Sequence, residues 1–356
     1  RIKMGGGVFK GGYSQTQNSP VYLKGKDNCS WKGISLYGCD SVLIKDTHFS
    51  NISPYPVDST YAVDMINCKF INIETGSFVS EGSLNAGCIR SGYVTNEDVD
   101  YSACIQGNSF ESDECEIPAL SFIATAGLSF PMIIDGNIFT SASSAGSSNA
   151  MLISNISGGV IKNNTVSGNI NSIIMLSSSM DLYNNTITSE IDNSAGLQLY
   201  SFSTAFLKSS GMYYTGGQNH FTNSGGGSRN IELLTSYFNM YKGYNVFNVE
   251  SNSDYHLIGS VFLSDLTNPT QNAKLNCFQF DGTNTAENQS LVWDNSGMPA
   301  EYIFTPYSCE IEEPIAYEVF NIGNGINDTI YYEQTGTGGG NKNLEFGILD
   351  LGFEKN

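Results

Sequence analysis

The chain has 356 residues, and its 35 acidic and 16 basic residues give a net charge of −19. This balance argues against nucleic acid and anionic polysaccharides as partners, because binding phosphate or uronate polymers requires clustered Lys and Arg. A content of 38 glycines, 14% charged residues and many Asn, Ser and Thr favours short strands joined by tight turns over long helices. No apolar run reaches the roughly 18 residues of a transmembrane segment.

A repeated phrase is the main feature of the chain. A short apolar strand leads to a polar turn, often Asn or Gly-Asn, and then to an aromatic or β-branched residue. The phrases read SVLIKDTHFSNI from Ser41, AVDMINCKFINI from Ala62, ACIQGNSFESD from Ala103, PMIIDGNIFTSA from Pro131, GVIKNNTVSGN from Gly159, MDLYNNTITSE from Met180 and, more loosely, HLIGSVFLSD from His256. A repeat of this kind predicts an array that grows by adding layers.

The spacing of the phrases predicts coils of roughly 20 to 30 residues. The longer interval between Phe70 and Phe110 is expected to hold two coils or an insertion. Alternation with period 2 points one set of side chains inward, and short runs between the phrases predict two or three strands per coil. The residues predicted to stack as a core file are Phe49, Phe70, Phe110, Phe139, Val166 and Ile187.

A ladder of asparagine side chains is predicted at the turns, because identical residues meet on successive layers when coils stack in parallel. The asparagines that occupy the same place in the phrase are Asn67, Asn108, Asn137, Asn164 and Asn185. We therefore expect each side-chain amide to bond the next.

Two regions are predicted. Residues 1–265 form the coils, and residues 266–356, where the phrase is lost, form terminal coils and a capping β region, with a separate small β domain as the alternative. None of the eight cysteines forms a CxxC pair. Plausible bridges are Cys29 with Cys39, Cys104 with Cys115 and Cys277 with Cys309, and buried thiols are the alternative.

Three segments extend the pattern: GGGVFKGG from Gly5, WKGISLYGCDSVLIKDTHFSNI from Trp31 and ILDLGFEKN from Ile348. Together with the phrases, they resemble the right-handed parallel β-helix repeats of bacterial secreted and outer-surface proteins, over roughly Gly5 to Asp265. The resemblance implies an all-β solenoid with a β-rich C-terminal cap, located extracellularly or on the bacterial outer surface. It leaves the function open, because this scaffold carries lyases, hydrolases, tailspikes and adhesins.

Catalytic candidates are few. The chain has neither the paired aspartates nor the GHG of β-helix pectin hydrolases. A lyase would need an Arg or Lys base, and Asp64 and Arg90 are expected to project from nearby coils, with Lys45 and His48 one coil earlier. A surface salt bridge is the alternative interpretation of Asp64 and Arg90.

Binding candidates come from two residue classes. The acidic stretches around Asp98, Asp100, Asp113 and Glu114 are weak calcium candidates, for which a solvated loop is the alternative, and no other cofactor or metal is predicted. Aromatic faces bind sugar rings, and core packing is the alternative role for a late group of tyrosines. That group comprises Tyr200, Tyr213, Tyr214, Tyr237, Tyr241 and Tyr244.

The sequence thus predicts a non-catalytic secreted or cell-surface protein for adhesion, ligand display or structural coating. Its expected partners are cell-surface proteins or glycans, and its oligomeric state is left open. The alternatives are a polysaccharide lyase or glycoside hydrolase with a groove along the solenoid, and a tailspike-like receptor binder, which would normally be a trimer.

Overall fold

A computed structural model gives the fold. It describes residues 2–11, 21–24, 33–52, 60–80, 86–94, 99–112, 115–141, 149–208, 217–241, 243–249, 257–261, 270–272, 275–280, 283–284, 293–294, 301–303, 317–321 and 327–331. These residues form strands and turns and no helix.

The strands are short, and most contain β-branched or aromatic residues at alternate positions. Their bounds are β1 (Ile2–Gly5), β2 (Val8–Gly11), β3 (Val21–Lys24), β4 (Ile34–Tyr37), β5 (Ser41–Lys45), β6 (Thr47–Ile52), β7 (Thr60–Ile66), β8 (Phe70–Glu74), β9 (Ser77–Ser80), β10 (Ala86–Tyr93), β11 (Ser102–Gln106), β12 (Ser109–Ser112), β13 (Leu120–Asp135), β14 (Ile138–Thr140), β15 (Asn149–Lys162), β16 (Thr165–Ser167), β17 (Asn171–Leu176), β18 (Ser179–Tyr183), β19 (Thr186–Ser189), β20 (Ala195–Tyr200), β21 (Thr204–Phe206), β22 (His220–Asn223), β23 (Arg229–Asn239), β24 (Val246–Val249), β25 (Leu257–Val261), β26 (Thr270–Asn272), β27 (Cys277–Phe280), β28 (Thr283–Asn284), β29 (Trp293–Asp294), β30 (Glu301–Ile303), β31 (Tyr317–Asn321) and β32 (Asn327–Tyr331).

The fold is a parallel β-solenoid of stacked coils, which confirms the predicted fold class. Each coil contributes strands to three faces. The first face contains β1, β4, β7, β10, the first part of β13, the first part of β15, β17, β20 and the first part of β23. The second contains β2, β5, β8, β11, the ends of β13 and β15, β18, β21 and the end of β23. The third runs from β3 to β27 as a separate parallel sheet of one strand per coil.

The corner between the second and third faces carries the predicted asparagine ladder. Seven buried asparagines, one per coil, stack there. In each member after the first, the Oδ1 accepts hydrogen bonds from the backbone N–H and the Nδ2 of the asparagine one coil before, at 2.8–3.1 Å. The Oδ1 of the first member accepts a hydrogen bond from the N–H of Gly76 at 2.8 Å. Their sequence separations of 29, 27, 21, 34, 26 and 31 residues are the coil lengths. The ladder consists of Asn108, Asn137, Asn164, Asn185, Asn219, Asn245 and Asn276.

One predicted member, Asn67, does not belong to the ladder. It lies at the other corner, between the first and second faces, with a φ of 51°, and its Oδ1 accepts a hydrogen bond from the N–H of Val94. Three later members, from Asn219 onward, were not predicted.

A file of side chains runs beneath the ladder. Rings in consecutive coils are nearly parallel, with centroids 4.6–5.2 Å apart, and two aliphatic residues continue the file between them. Its members are Phe49, Phe78, Phe110, Phe139, Val166, Ile187, Phe221, Phe247 and Phe278.

The prediction for Phe70 was wrong. Phe70 is 47% exposed on the second face, and Phe78 holds its expected place in the core. After Asn163, the first strand residue that points inward is Val166, three positions later. After Asn67, it is Ile71, four positions later, so Phe70 points outward. With Phe78 in the file, the long interval disappears, and neither two coils nor an insertion is needed to fill it.

Two of the plausible disulfides, Cys29 with Cys39 and Cys104 with Cys115, are not formed in this structure, in which Cys39, Cys104 and Cys115 are thiols. Cys277 is disulfide-bonded, and its expected partner Cys309 lies outside the described residues. Beyond residue 265, where terminal coils were predicted, β27 still pairs in parallel with β24. Most of residues 266–356 lie outside the described part of the chain, so the cap stays a prediction.

We expect Asn164→Ala to lower the free energy of unfolding by about 2–6 kcal/mol, because it leaves two buried N–H groups of Asn137 without their acceptor at roughly 1–3 kcal/mol each. Urea denaturation followed by circular dichroism measures the change. The matched control is Asn163→Gly, which removes a more exposed neighbouring side chain at a φ of 55° that glycine adopts freely. Equal losses for the two variants would contradict a stabilising ladder.

Candidate functional site

The outer surface of the first face carries the best-formed polar cluster of the described residues. Register places Ser35, Asp64, Arg90 and Ser121 side by side on β4, β7, β10 and β13, one per coil. Residues at this register position alternate with core residues such as Val63, so their side chains point away from the core. The stacking of coils therefore brings together residues that are far apart in sequence.

Asp64 and Arg90 form a bidentate ion pair. The Arg90 Nε donates to one carboxylate oxygen at 2.8 Å, and its Nη2 donates to the other at 3.0 Å. The guanidinium lies 4.8 Å from the centre of the Tyr61 ring. The Asp64 side chain is only 8% exposed and that of Arg90 32%, so the pair is better shielded than an ordinary surface salt bridge. The two residues therefore form a salt bridge, at a place more shielded than the surface pair that was the alternative interpretation.

The electrostatics of the cluster act on the pKa values of Arg90 and Tyr61. Burial lowers the pKa of Arg90, but the hydrogen bonds and charge of Asp64 outweigh burial and raise it overall. Burial raises the pKa of Tyr61, although the positive charge of Arg90 opposes the shift. Arg90 therefore stays protonated and Tyr61 stays a neutral phenol near pH 7.

An open depression of about 390 Å³ adjoins the ion pair. Asp64 lines it together with Tyr37, whose ring is 61% exposed. The other lining residues are Met4, Gly5, Ser35, Leu36 and Ile66. The depression thus combines a solvent-facing aromatic ring with a carboxylate whose orientation is fixed by an arginine.

Lys45 and His48 do not join this cluster. Lys45 ends β5 on the second face, where its Nζ lies 3.6 Å from a carboxylate oxygen of Glu74. His48 lies on the third face, and its ring stacks on Tyr22 with centroids 4.9 Å apart. The four catalytic candidates are therefore divided among three faces.

A second polar cluster lies farther along the first face. Glu232 accepts hydrogen bonds from Arg229 at 2.7 and 3.0 Å and from Gln198 at 2.9 Å. Burial, reinforced by the negative charge of Glu232, raises the pKa of Tyr200 to about 12. Sequence reasoning missed this site, because residues three apart on a strand are expected on opposite faces and Gln198 meets Glu232 only through the pairing of consecutive coils.

Half-buried apolar side chains separate the two clusters on the same surface. In the coils between the two clusters, the register position that Arg90 and Glu232 occupy is taken by Leu152 and Ile174. Ile123 and Leu176 lie two residues farther along their strands and are also half-buried. The outer surface of the first face is thus polar at two places and apolar between them.

The predicted tyrosine platform is not a single exposed row in the described part of the chain. Tyr237 packs against the core, Tyr244 is 6% exposed in a turn, and Tyr241 is 40% exposed. Tyr213 and Tyr214 lie outside the described residues.

The calcium candidates fall mostly outside the described residues. Of the four, only Asp100 is described, on an exposed segment, whereas Asp98, Asp113 and Glu114 are not. Within the described ranges, no three His, Cys, Asp or Glu side chains are grouped so that they could hold a metal ion.

Comparison of the chain with protein-family models, with curated proteins and with solved structures finds no match. Among the residues that the structure describes, no helix is long and apolar enough to cross a bilayer.

Because the Asp64–Arg90 pair is shielded, we expect Arg90→Leu to lower the free energy of unfolding by about 3 kcal/mol or more, since it leaves a buried carboxylate without its partner. The matched control is Lys69→Leu, which breaks an exposed inter-coil pair with Asp40 at 2.9 Å and should cost at most about 1 kcal/mol. Urea denaturation of both variants checks the difference. A loss in Arg90→Leu no greater than the control would show that the pair is energetically an ordinary surface salt bridge.

Proposed function

We propose that this protein is a non-catalytic, secreted or cell-surface β-solenoid that binds a neutral glycan on the outer surface of its first face. The observation that carries the proposal is the exposed Tyr37 ring beside the oriented Asp64 carboxylate in an open depression. Sugar rings combine an apolar C–H face with hydroxyl groups, so they suit a site that offers an aromatic face and fixed hydrogen-bonding groups together.

The charges favour a neutral ligand over a uronate polymer. The chain carries a net charge of −19, which repels polyanions at long range. Both arginines on this surface, Arg90 and Arg229, are already paired with carboxylates. A uronate would have to displace Asp64 or Glu232 to reach them.

The protonation states favour binding over catalysis. General acid–base catalysis is most effective when the pKa of the catalytic group lies near the working pH. In the two clusters, burial raises the pKa values of Tyr61 and Tyr200 away from neutrality. The carboxyl pKa of Asp181 is raised by burial, but its register neighbours among the described strands are Val160 and Phe206, neither of which supplies the second carboxyl group that glycoside hydrolysis usually requires.

A secreted or cell-surface location and a bacterial origin belong to the same proposal. They rest on the resemblance of the repeated phrases to bacterial secreted and outer-surface β-helix proteins. The expected role is adhesion or ligand display, with glycans or glycosylated cell-surface proteins as partners.

A glycan array tests the proposal. The wild-type protein should bind neutral oligosaccharides. Raising the salt concentration should leave that binding unchanged, because a neutral ligand forms no ion pair that salt could screen. Tyr37→Ala should weaken binding about tenfold through loss of ring stacking. The control Tyr22→Ala removes a ring that is 68% exposed on the third face and should bind like the wild type.

Two outcomes would overturn the proposal. Release of reducing ends or unsaturated uronates from polysaccharides in a parallel assay would show an enzyme. Salt-sensitive binding to uronate polymers alone would show that the ligand is anionic.

A further inference from the structure

Two cysteines occupy equivalent places in consecutive coils. Cys39 follows Gly38 and Cys68 follows Asn67, and both preceding residues have positive φ, at 58° and 51°. The backbone N–H of Lys69 donates to the carbonyl oxygen of Cys39 at 2.9 Å, and both cysteine side chains are fully buried. The two thiols therefore lie on neighbouring layers at the corner between the first and second faces.

The spacing of layers suits a covalent link. Adjacent strands lie about 4.7–4.9 Å apart, and disulfides join Cα atoms about 4.4–6.8 Å apart. The Cys68 thiol donates to the carbonyl oxygen of Ile66 at 3.7 Å, and the Cys39 thiol is near enough to influence the pKa of Cys68.

Later coils link the same corner through hydroxyl groups. The N–H of Ser178 donates to the Oγ of Ser203 at 3.2 Å, and the N–H of Ser203 donates to the Oγ of Ser236 at 3.2 Å. The residue that follows the positive-φ residue at this corner thus connects one coil to the next. In the early coils, that residue is Cys39 or Cys68.

We propose that Cys39 and Cys68 become joined by a disulfide between consecutive coils when the chain folds in an oxidising environment. The oxidant is a small-molecule disulfide. One thiolate attacks it to form a mixed disulfide, and the second thiolate then attacks the protein sulfur. One Sγ–Sγ bond forms, the S–S bond of the oxidant breaks, and two electrons pass to the oxidant, which leaves as two thiols that take up the two protons.

The bond forms before the corner is buried. In the folded chain, burial raises the pKa of Cys68 to about 12, so almost none of the reactive thiolate is present near pH 7. Both sulfurs are also shielded from solvent, which keeps an external oxidant away. Folding conditions therefore decide whether the pair is linked, and either form persists once the solenoid has closed.

The test compares two treatments of the full chain. The protein is reduced in denaturant and refolded in a buffer of reduced and oxidised glutathione, or folded under reducing conditions and exposed to the same buffer afterwards. Each sample is alkylated in denaturant without reductant and mapped by peptide mass spectrometry. We expect the peptides of Cys39 and Cys68 to be linked after oxidative refolding and alkylated after exposure of the folded chain.

Two variants test which cysteines are linked. In Cys68→Ser the peptide of Cys39 should be alkylated after oxidative refolding, whereas Cys104→Ser, which changes a partly exposed thiol, should leave the link intact. The disulfide of Cys277 serves as an internal check that oxidation occurred. Alkylation of Cys39 and Cys68 in a refolded sample with a linked Cys277, or linkage of Cys39 to another cysteine, would overturn the proposal.

Discussion

The stacking of one coil on the next through buried side-chain amides fixes the register of the whole solenoid. An asparagine amide both donates and accepts, so each inner member of the ladder bonds its neighbours on both sides, as Asn164 does with Asn137 and Asn185. The residue before each member adopts positive φ, which Gly136 and Asn163 tolerate. A slip of one residue would leave these amides unpaired and turn the core residues of that strand outward.

The local pattern predicted the fold because the phrase encodes both the strand and the corner. Asn followed two positions later by Phe, Val or Ile marks every ladder position from Asn108 to Asn276, so the later members carried a signal even where the surrounding phrase is lost. The errors at Asn67 and Phe70 have one cause. Two different corners have the same strand–Asn–strand appearance, and they differ by a single residue of length that only stacking makes visible.

The candidate site was harder to predict, because its residues meet only through the register of separate coils. Asp64 and Arg90 were expected on nearby coils and do meet, at a sequence separation of 26 residues. Lys45 and His48 are close to them in sequence but belong to other faces. The cluster around Glu232 depends on Gln198, which lies 34 residues away and has no local feature that marks it. Proximity in a solenoid therefore depends on position within the coil more than on distance along the chain.

The coils that carry the depression are also those that lack the amide ladder. At the ladder corner, Thr47 and Gly76 stand where later coils have asparagine, and the ladder begins only when the N–H of Gly76 donates to Asn108. In these coils, stacked rings, ion pairs and the buried cysteines add to the backbone hydrogen bonds between the paired strands. Since Tyr37 and Asp64 belong to the same two coils as Cys39 and Cys68, a link at that corner would hold together the parts of the chain that must stay aligned for the depression to keep its shape.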